Sequence, residues 1–384
     1  MKILLASSSS GSRGGGELYL VYLGRALAQR GHEVTLWASS HSRMDELANT
    51  FSSFGEVLRS KYTNTYDLRG RSLSASLNLA AMWRVAREWR KARVDLVHLN
   101  KQNLEDGLDL LHAARRSGVP SLCTIHLTQS ARYLQAKYHR MRDWAARRAL
   151  RKYPGLLVTV LESRRKDLLQ FMEATPKVRL VANGVPLWDL TQRDALRNSL
   201  RRELNLTPQD LLFLEVGRLV PQKRPLLFIE KAEQILRTFP QSHFLWIGDG
   251  SQNAEWDAEV ARRNLGDRVR RLPWQMDVRP YLFAADVFLH VADFEGLPLA
   301  ILEAMSAELP CALTPNLLEE MSFFNAANSL IVEDPRAWQG VVDAPARLRA
   351  LGQAGRRLAE AEFSFQRMAE QYETLYQVSI RREA

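Results

Sequence analysis

Cysteine is scarce in this sequence, which has two, Cys123 and Cys311, in 384 residues. They lie far apart and lack the close spacing of paired metal ligands. So few cysteines are typical of a protein from a reducing compartment, and we expect a cytoplasmic location.

Long apolar runs are also missing. No stretch approaches the roughly 20 apolar residues that a membrane span requires. The first residues, MKILLASSSS, offer only Ile3–Ala6 as an apolar core, which is too short for a secretory signal. We therefore expect a soluble protein that stays on the cytoplasmic side of the membrane.

The length and charge of the chain point to two domains. A chain of 384 residues exceeds one ordinary core. Hydrophobic residues make up 46% and charged residues 25%, as in globular proteins. Residues 1–185 hold 30 Lys+Arg against 15 Asp+Glu, whereas the remainder holds 23 against 28. The basic and the mildly acidic halves should therefore meet different partners.

Short apolar runs rich in β-formers alternate with longer amphipathic segments. The predicted strands are Lys2–Ala6, Glu33–Ala38, Val94–Leu99, Ser121–His126, Leu156–Val160, Val178–Val181, Leu211–Val216, His243–Ile247, Val269–Leu272, Val287–Val291 and Cys311–Thr314. The predicted helices are Gly16–Arg30, Ser76–Arg90, Leu104–Ser117, Tyr133–Lys152, Pro225–Arg237, Ala254–Leu265 and Pro298–Ala307. This alternation predicts parallel sheets covered on both faces, and it restarts after Asn183-Gly184-Val185-Pro186. The fold class is therefore α/β, with two doubly wound domains.

Ligands of such sheets bind beyond the carboxyl ends of the strands. After the first strand come Gly14, Gly15 and Gly16, and a helix is predicted from about Glu17. Free amides at a helix start attract phosphates, although a flexible turn is an equal alternative. The spacing does not fit the Gly-x-Gly-x-x-Gly fingerprint of dinucleotide-binding folds.

In the second half, Arg218 and Lys223 directly follow the strand Leu211–Val216. Two cations at a strand end can neutralise a diphosphate and the charge that grows on it as it leaves. The alternative is a pair of solvated loop cations. Gly248-Asp249-Gly250 after the next strand is interpreted as a tight turn alone.

The stretch FEGLPLAILEAM holds two glutamates. Glu295 lies in a loop at a strand end, Pro298 suits the first helical position, and Glu303 lies inside the helix among apolar residues. The amides of Gly296 and Leu297 lie near the helix start, where a phosphate is favoured. The carboxylates could hold the hydroxyls of a ribose and of a sugar.

As a set, these motifs resemble the retaining glycosyltransferases of family 4. FEGLPLAILEAM matches the family's E-x7-E motif, and GRLVPQK its Gly-Arg-Leu…Lys motif. GGGELYL…LAQRGHEV, NGV, IGDG and the closing FSFQRMAEQYETLY fit as well. The resemblance implies a GT-B fold of two facing Rossmann-like domains with the active site in the cleft between them. Residues 1–185 would bind the acceptor and 186–365 the donor, and a last helix at about 366–384 would pack back on the first domain.

The resemblance also implies roles for individual residues. Arg218 and Lys223 would bind the donor diphosphate, Glu303 the ribose and Glu295 the transferred sugar. Four further sets complete the site: the amides of Gly15 and Gly16, those of Gly296, Leu297 and Leu299, the helix start at Pro298, and His126 near the reacting sugar carbon. The catalytic group would be His126, Arg218, Lys223 and Glu295.

Several positions depart from the family pattern. Pro298 and Glu308 stand where glycines are usual, Pro186 stands where aspartate is frequent, and LTPNLLEE lacks paired glycines before its glutamates. Pro273-Trp274-Gln275 replaces a glycine-containing loop expected to touch the base. The identities of the base and sugar are therefore left open between UDP- and GDP-sugars.

The sequence contains no Asp-x-Asp, the motif that holds Mn²⁺ or Mg²⁺ against a diphosphate in metal-dependent sugar-nucleotide enzymes. Arg218, Lys223 and the helix start would replace the metal. We therefore expect neither a metal nor another cofactor.

Two basic segments interleave cations with aromatics. Thr128–Pro154 has eight Lys+Arg against one acid, and Met82–Arg93 has five against one. Basic amphipathic helices suit an anionic membrane surface, which Trp83, Trp89 and Trp144 could enter. Ordinary solvated helix faces are the alternative. No recognition motif accompanies the charge, so nucleic acid is not an expected partner.

The sequence thus predicts a retaining, metal-independent hexosyltransferase, cytoplasmic and peripheral at the inner face of the cytoplasmic membrane. It would move a sugar from a UDP- or GDP-sugar to a glycan or lipid-linked acceptor in bacterial cell-envelope polysaccharide or lipopolysaccharide synthesis. The alternatives are a sugar-nucleotide epimerase of related fold and a non-catalytic protein that binds membrane surfaces or nucleic acid.

Overall fold

The computed structural model describes residues 1–11, 14–64, 78–173, 177–333, 338 and 345–383. The chain forms two compact units, one of Met1–Gly184 with Phe365–Ala384 and the other of Val185–Ser364. Ser12 and Arg13 of the glycine-rich loop lie outside the described residues, as does the start of the helix predicted over Ser76–Arg90.

The first unit is built on a seven-stranded sheet in the order β3-β2-β1-β4-β5-β6-β7. Its strands are β1 (Lys2–Ser7), β2 (Glu33–Ser39), β3 (Glu56–Ser60), β4 (Leu96–Lys101), β5 (Ser121–Ile125), β6 (Leu156–Thr159) and β7 (Val178–Leu180). Every pairing in this sheet is parallel. All carboxyl ends therefore meet at one edge, which places the loops after β1, β4 and β5 side by side.

Helices connect these strands, as parallel pairing requires. They are α1 (Gly15–Gln29), α2 (Asp45–Phe51), α3 (Leu79–Lys91), α4 (Leu108–Ser117), α5 (His139–Lys152) and α6 (Glu162–Met172). The central strand β4 is buried along its whole length, including its polar residues His98, Asn100 and Lys101. Buried polar groups need hydrogen-bond partners, so these three residues are expected to have a role beyond packing in the sheet.

The second unit has a six-stranded parallel sheet in the order β10-β9-β8-β11-β12-β13. Its strands are β8 (Leu211–Val216), β9 (Ser242–Ile247), β10 (Val269–Leu272), β11 (Val287–His290), β12 (Cys311–Leu313) and β13 (Ser329–Ile331). Its helices are α7 (Arg193–Glu203), α8 (Pro225–Thr238), α9 (Asn253–Arg262), α10 (Arg279–Ala284), α11 (Leu299–Ser306), α12 (Pro315–Glu320) and α13 (Pro345–Glu362). The predicted pair of doubly wound α/β sheets is confirmed.

An aromatic core stiffens the middle of the second sheet. Phe213 of β8 stacks on Phe244 of β9 with ring centroids 4.8 Å apart. Trp246 of β9 meets Trp256 of α9 edge-on at 5.4 Å. Such pairs add stability beyond the area that they bury. The loops that leave β8 and β9 are therefore carried on a rigid base.

The C-terminal helix α14 (Phe365–Glu383) belongs to the first unit. Its Tyr376 hydroxyl lies 2.7 Å from Nδ1 of His98, and its Tyr372 hydroxyl lies 2.8 Å from the Thr124 hydroxyl. Glu373 accepts hydrogen bonds from the Arg30 guanidinium at 2.7 and 2.8 Å. These contacts attach the end of the chain to β4, β5 and the end of α1.

Two predicted helices begin too early, and the one predicted over Leu104–Ser117 is observed only from Leu108. The sequence pattern predicts Tyr133–Lys152, but α5 begins only at His139. Gln135 and Tyr138 adopt left-handed φ of 51° and 57°, which ends helical geometry before α5 starts. The carboxylate of Asp143 in α5 accepts hydrogen bonds from the amides of Ala131 and Arg132, so the preceding segment folds back along the helix.

One edge strand of each sheet, β3 and β13, was not predicted. The edge strand β3 is largely exposed, and β13 has only three residues. Neither offers the buried apolar run that indicates an inner strand of a parallel sheet. Within the described parts of the chain, no helix combines the length and apolar character needed to cross a membrane.

Candidate active site

The loop after β8 presents Arg218. The Gly217 amide donates to the Ile247 carbonyl at 3.0 Å, so the ends of β8 and β9 are joined. Gly248 has φ of +137°, and a Cβ there would lie 2.2 Å from the Gly217 carbonyl oxygen. The turn Gly248-Asp249-Gly250, which the sequence analysis interpreted as a tight turn alone, thus shapes the loop that carries Arg218. The Arg218 side chain is exposed and has no hydrogen-bond partner in the described part of the chain.

Lys223 ends a 3₁₀ turn, Pro221–Lys223, that follows this loop. Its ammonium forms an ion pair with Oε1 of Glu295. Both side chains are nearly buried, with 13% of Lys223 and 7% of Glu295 exposed. Two residues predicted separately, for the diphosphate and for the sugar, are therefore in direct contact.

The Glu295 carboxylate has a second cationic partner that the sequence analysis missed. Nε2 of His290, at the end of β11, lies 3.3 Å from the same Oε1. Nδ1 of His290 lies 2.9 Å from each carboxylate oxygen of Glu215 in the neighbouring strand β8. Glu215, His290, Glu295 and Lys223 thus form a line of alternating acids and bases, which we call the buried relay.

The charges of the buried relay perturb one another. Burial by itself would raise the pKa of Glu295, but Lys223 and His290 outweigh it and hold the pKa at about 2. Burial likewise opposes the charged imidazole, yet Glu215 and Glu295 keep the pKa of His290 above its ordinary value. Burial raises the pKa of Glu215. Glu295 is therefore a carboxylate at neutral pH.

Neighbouring side chains fix the loop that carries Glu295. The Glu295 amide donates to the carboxylate of Glu320 at 3.1 Å. Asn316 Nδ2 donates to the carbonyls of Ala292 and Asp293 at 3.0 and 2.8 Å. Gln222 Nε2 donates to the Phe294 carbonyl at 3.0 Å. The helix α12 and the 3₁₀ turn thus hold the loop from two sides.

The helix after this loop begins one residue later than predicted. α11 starts at Leu299, and Pro298, expected at the first helical position, is instead the N-cap with φ −70° and ψ 124°. Gly296, Leu297, Pro298 and Leu299 are all buried. The first amides of a helix have no intrahelical acceptor, as an anion site requires. Glu303 is buried within α11, so it does not point into solvent.

In the first unit, His126 and Gly16 are joined through Asn100. Asn100 Nδ2 donates to the Gly16 carbonyl at 2.8 Å, so its Oδ1 faces His126 Nε2 at 2.7 Å. Nε2 must therefore carry the proton, which leaves Nδ1 as the basic nitrogen. Burial lowers the pKa of His126 to about 4, so the ring is neutral at physiological pH.

Gly16 packs closely against the Gln102 side chain. A Cβ at this position would lie 1.8 Å from Oε1 of Gln102. Gly15, the first residue of α1, is exposed. The helix therefore begins at the glycines themselves rather than at the predicted Glu17, and its start lies at the carboxyl edge of the first sheet.

A buried ion pair that the sequence analysis missed supports this edge. Lys101 Nζ lies 3.4 Å from Oδ1 of Asp106, and both side chains are buried. Asp106 also accepts the Ser8 hydroxyl and the amides of Gln102 and Asn103. The signal was present as the polar run HLNKQNLED directly after an apolar strand start. The contact of Asp106 with Ser8, which follows β1, could not be deduced without the pairing of β4 with β1.

The predicted site residues are distributed over both units. Gly15, Gly16 and His126 belong to the first, whereas Arg218, Lys223, the segment 295–299 and Glu303 belong to the second. Their assembly into one site and their individual roles stay predictions. In the described residues, no group of three or more His, Cys, Asp or Glu side chains is placed to hold a metal ion.

Family models match both halves of the chain. The model described as Glycosyltransferase Family 4 matches residues 13–188, and the model described as Glycosyl transferases group 1 matches residues 197–362. The chain belongs to glycosyltransferase family 4. The family that the motifs indicate is therefore confirmed.

Two curated relatives are 28% and 29% identical to this family 4 chain over the residues that align. UDP-Gal:alpha-D-GlcNAc-diphosphoundecaprenol alpha-1,3-galactosyltransferase from Escherichia coli is 28% identical over 251 residues, 64% of each chain. The match thus spans less than two thirds of that relative. 2-deoxystreptamine glucosyltransferase from Streptomyces kanamyceticus is 29% identical over 331 residues, 80% of this chain and 82% of the relative.

Solved structures share the fold. The crystal structure of Anabaena Alr3699/HepE in complex with UDP and glucose superposes with a TM-score of 0.78 at 18% identity, covering 98% of this chain and 100% of the other. At this identity the likeness establishes the fold. The family 4 chain has the GT-B fold that the sequence resemblance implied.

Proposed function

We propose that this glycosyltransferase moves a sugar from a nucleotide-sugar onto a glycan or lipid-linked acceptor of the bacterial cell envelope, with retention at the anomeric carbon. The observation that carries the proposal is the contact between Lys223 and the buried Glu295, with the exposed Arg218 in the loop before Lys223. A cation proposed to bind the diphosphate is thus in contact with a carboxylate proposed to hold sugar hydroxyls.

Names of relatives support the donor and acceptor classes. The name of the E. coli relative specifies UDP-Gal and an acceptor linked to diphosphoundecaprenol. The Anabaena structure holds UDP and glucose. We therefore favour a UDP-sugar over a GDP-sugar as donor, and a lipid-linked glycan as acceptor.

Each predicted residue has a task in this reaction. Arg218, Lys223 and the amides at the start of α11 would stabilise the charge that develops on the leaving diphosphate. Glu303 would clamp the ribose, and Glu295 would hold hydroxyls of the transferred sugar. The neutral His126, with Nδ1 as its acceptor, would bind a hydroxyl near the reacting carbon.

Screening nucleotide-sugars by thermal unfolding tests the donor. A ligand that binds only the native state raises the unfolding temperature. We expect one UDP-sugar to raise the unfolding temperature more than UDP alone does. The same UDP-sugar should donate its sugar to an acceptor, and NMR of the product should show the anomeric configuration of the donor. Inversion would contradict the retaining assignment. Interconversion of the donor without any acceptor would favour the epimerase alternative.

We expect this transfer to continue in excess EDTA. Two cations and a helix start would supply the charge that a metal supplies elsewhere. After dialysis against EDTA, the initial rates measured with and without chelator should agree within about twofold. Loss of activity that Mn²⁺ or Mg²⁺ restores would show that a metal is needed.

An exposed surface of the first unit supports the proposed membrane contact. Five large apolar side chains in and before α5 are exposed: Tyr133, Leu134, Tyr138, Met141 and Trp144. Four exposed cations accompany them: Arg132, Lys137, Arg140 and Arg148. We call these nine residues the α5 surface. Aromatic side chains beside cations suit the interface of an anionic bilayer.

One expectation for this region is wrong. Trp89 is fully buried and packs edge-on against Trp37 at 5.7 Å, so it cannot enter a membrane. Arg147 and Arg151 are paired with Glu173 at 2.8 and 2.5 Å, so their charge is partly compensated. Trp83 is exposed, as predicted, with the Arg116 guanidinium 5.3 Å from the centre of its ring.

Vesicle sedimentation tests the α5 surface. We expect binding to vesicles rich in anionic lipid and little binding to neutral ones, because each cation near such a surface contributes about 1 kcal/mol that salt screens. Changing Arg132, Lys137, Arg140 and Arg148 together to Ser should abolish most of the binding. The matched control changes Arg237, Arg262, Arg270 and Arg279 of the second unit to Ser. Binding that is independent of vesicle charge at low salt would refute membrane contact.

A further inference from the structure

His290 and Glu215 are polar residues in otherwise apolar strands of the second sheet, and the roles above do not use them. His290 is fully buried and Glu215 is 1% exposed. Burying a charge is costly unless it is paired and hydrogen-bonded. Their presence in VFLH and LLFLEV therefore calls for a function that apolar side chains could not supply.

Both ring nitrogens of His290 face carboxylates. Nδ1 lies 2.9 Å from both oxygens of Glu215, and Nε2 lies 3.3 Å from Oε1 of Glu295. A ring that donates at both nitrogens is an imidazolium. With Lys223 as the second cation, the buried relay then holds two positive and two negative charges, so its net charge is zero.

Both cations use the same oxygen of Glu295. Lys223 Nζ and His290 Nε2 contact Oε1. Oε2 has no hydrogen-bond partner anywhere in the described residues, and the side chain retains 7% exposure. One oxygen is thus anchored from inside the protein, while the other remains available to a ligand.

The two tasks of Lys223 are in conflict. If it were the only counter-charge of a buried carboxylate, binding a diphosphate would leave Glu295 uncompensated, which is strongly unfavourable. A second cation on Oε1 removes that penalty.

We propose that His290, held by Glu215, is a positioning residue that anchors Glu295 through Oε1, so that Lys223 can bind the donor diphosphate and Oε2 can accept a sugar hydroxyl. This inference rests on the proposed function for the tasks of Lys223 and Glu295. It adds the two residues that allow both tasks at once.

The protonation of His290 can be measured without a donor. Burial and Lys223 of the 3₁₀ turn lower the pKa of His290, but Glu215 of β8 and Glu295 of the loop outweigh them, so the pKa is raised. Burial, and to a smaller extent Glu215, raise the pKa of the Cys311 thiol in β12. Because the folded pKa is raised, the stability that His290 contributes is complete below about pH 6.5 and is lost as pH rises through the folded value.

NMR of the full chain with labelled histidine rings tests this state. The His290 signal is assigned by its disappearance in His290→Gln. We expect the ring to stay doubly protonated at a pH where a free histidine is neutral, and the isosteric Glu215→Gln to lower its pKa. A neutral His290 ring at pH 6 in the wild-type chain overturns the proposal, whatever the donor is.

Calorimetric titration with UDP tests the consequence for Lys223. In His290→Gln the positive charge of the ring is absent, so Lys223 should stay paired with Glu295. UDP should then bind about 10-fold more weakly, which corresponds to the loss of one charged hydrogen bond. Glu295→Gln should bind UDP normally, and the double variant His290→Gln/Glu295→Gln should recover that affinity. Recovery by a second substitution is not expected of a merely structural defect.

The control is His243→Gln at the opposite end of the same sheet. His243 in β9 accepts from the Arg268 guanidinium at 2.7 Å and belongs to no proposed site. It should leave UDP binding unchanged. If His290→Gln does not fold, Glu215→Gln takes its place. Normal UDP binding by the single variant, or a double variant as weak as the single, overturns the proposal. A wild-type chain that binds neither UDP nor GDP refutes the proposed function, while the NMR result still decides the state of His290.

Discussion

Arg218→Ala and Lys223→Ala are each expected to lower turnover by about 10²-fold or more, the usual cost of losing one donor that stabilises a developing anion. Initial rates at saturating donor measure the loss. Their effects on stability should differ. Arg218 is exposed and has no hydrogen-bond partner in the described residues, so its loss should leave the unfolding temperature almost unchanged. Lys223 pairs with the buried Glu295, but His290 remains on the same oxygen, so loss of Lys223 should lower the unfolding free energy by only about 1–3 kcal/mol.

The matched control is Arg237→Ala at the end of α8. The Arg237 side chain is 73% exposed and its ion pair with Glu233 lies within one helix. Such a pair contributes little, so both turnover and stability should stay at wild-type levels. Near-normal turnover in Arg218→Ala and Lys223→Ala would mean that these cations do not serve the leaving group.

The end of β8 in the second sheet was predictable because this strand carries a clear signal. LLFLEV is flanked by polar residues, and its predicted bounds, Leu211–Val216, are those observed. The rule that ligands lie beyond carboxyl ends then selected Arg218, Lys223 and Glu295 from sequence. Two of these three proved to be in contact.

The buried relay was not predictable, for a physical reason. Glu215 and His290 are 75 residues apart in the sequence, and each looks like an isolated polar residue in an apolar run. Only the pairing of β8 with β11 brings them together. Sequence periodicity locates strands, but it does not give the order of strands in a sheet. A charged residue inside a predicted buried strand is nevertheless a signal, since it must find a partner.

Local backbone geometry limited the prediction of α5 in a different way. The sequence from Tyr133 onward has helical periodicity, but Asp143 binds the amides of Ala131 and Arg132 and folds the preceding segment back. A carboxylate that competes for backbone amides can override periodicity. The consequence is functional, because the folded-back segment exposes Tyr133, Leu134 and Tyr138 beside the helix.

Changing each of the two glutamates of FEGLPLAILEAM to Gln should have different effects on UDP binding and on the rate of transfer. Glu295→Gln keeps the size of the side chain but removes the charge that holds Lys223. Without the ion pair, Lys223 is free for a diphosphate, so this variant should bind UDP at least as tightly as the wild type. Transfer should nevertheless slow by about 10²-fold, because Gln accepts more weakly from the sugar in the transition state.

Glu303→Gln is expected to show the opposite pattern. A ribose clamp acts equally in ground and transition states, so its loss raises KM and leaves kcat nearly unchanged. Loss of a hydrogen bond to a charged acceptor costs about 1.5–3 kcal/mol, which is about 10- to 100-fold in the Kd for UDP. Because Glu303 is buried in α11, the unfolding temperature of each variant must be measured beside the titration. Equal losses of UDP affinity in the two variants would contradict this division of labour, since only Glu303 is assigned to the part of the donor that UDP contains.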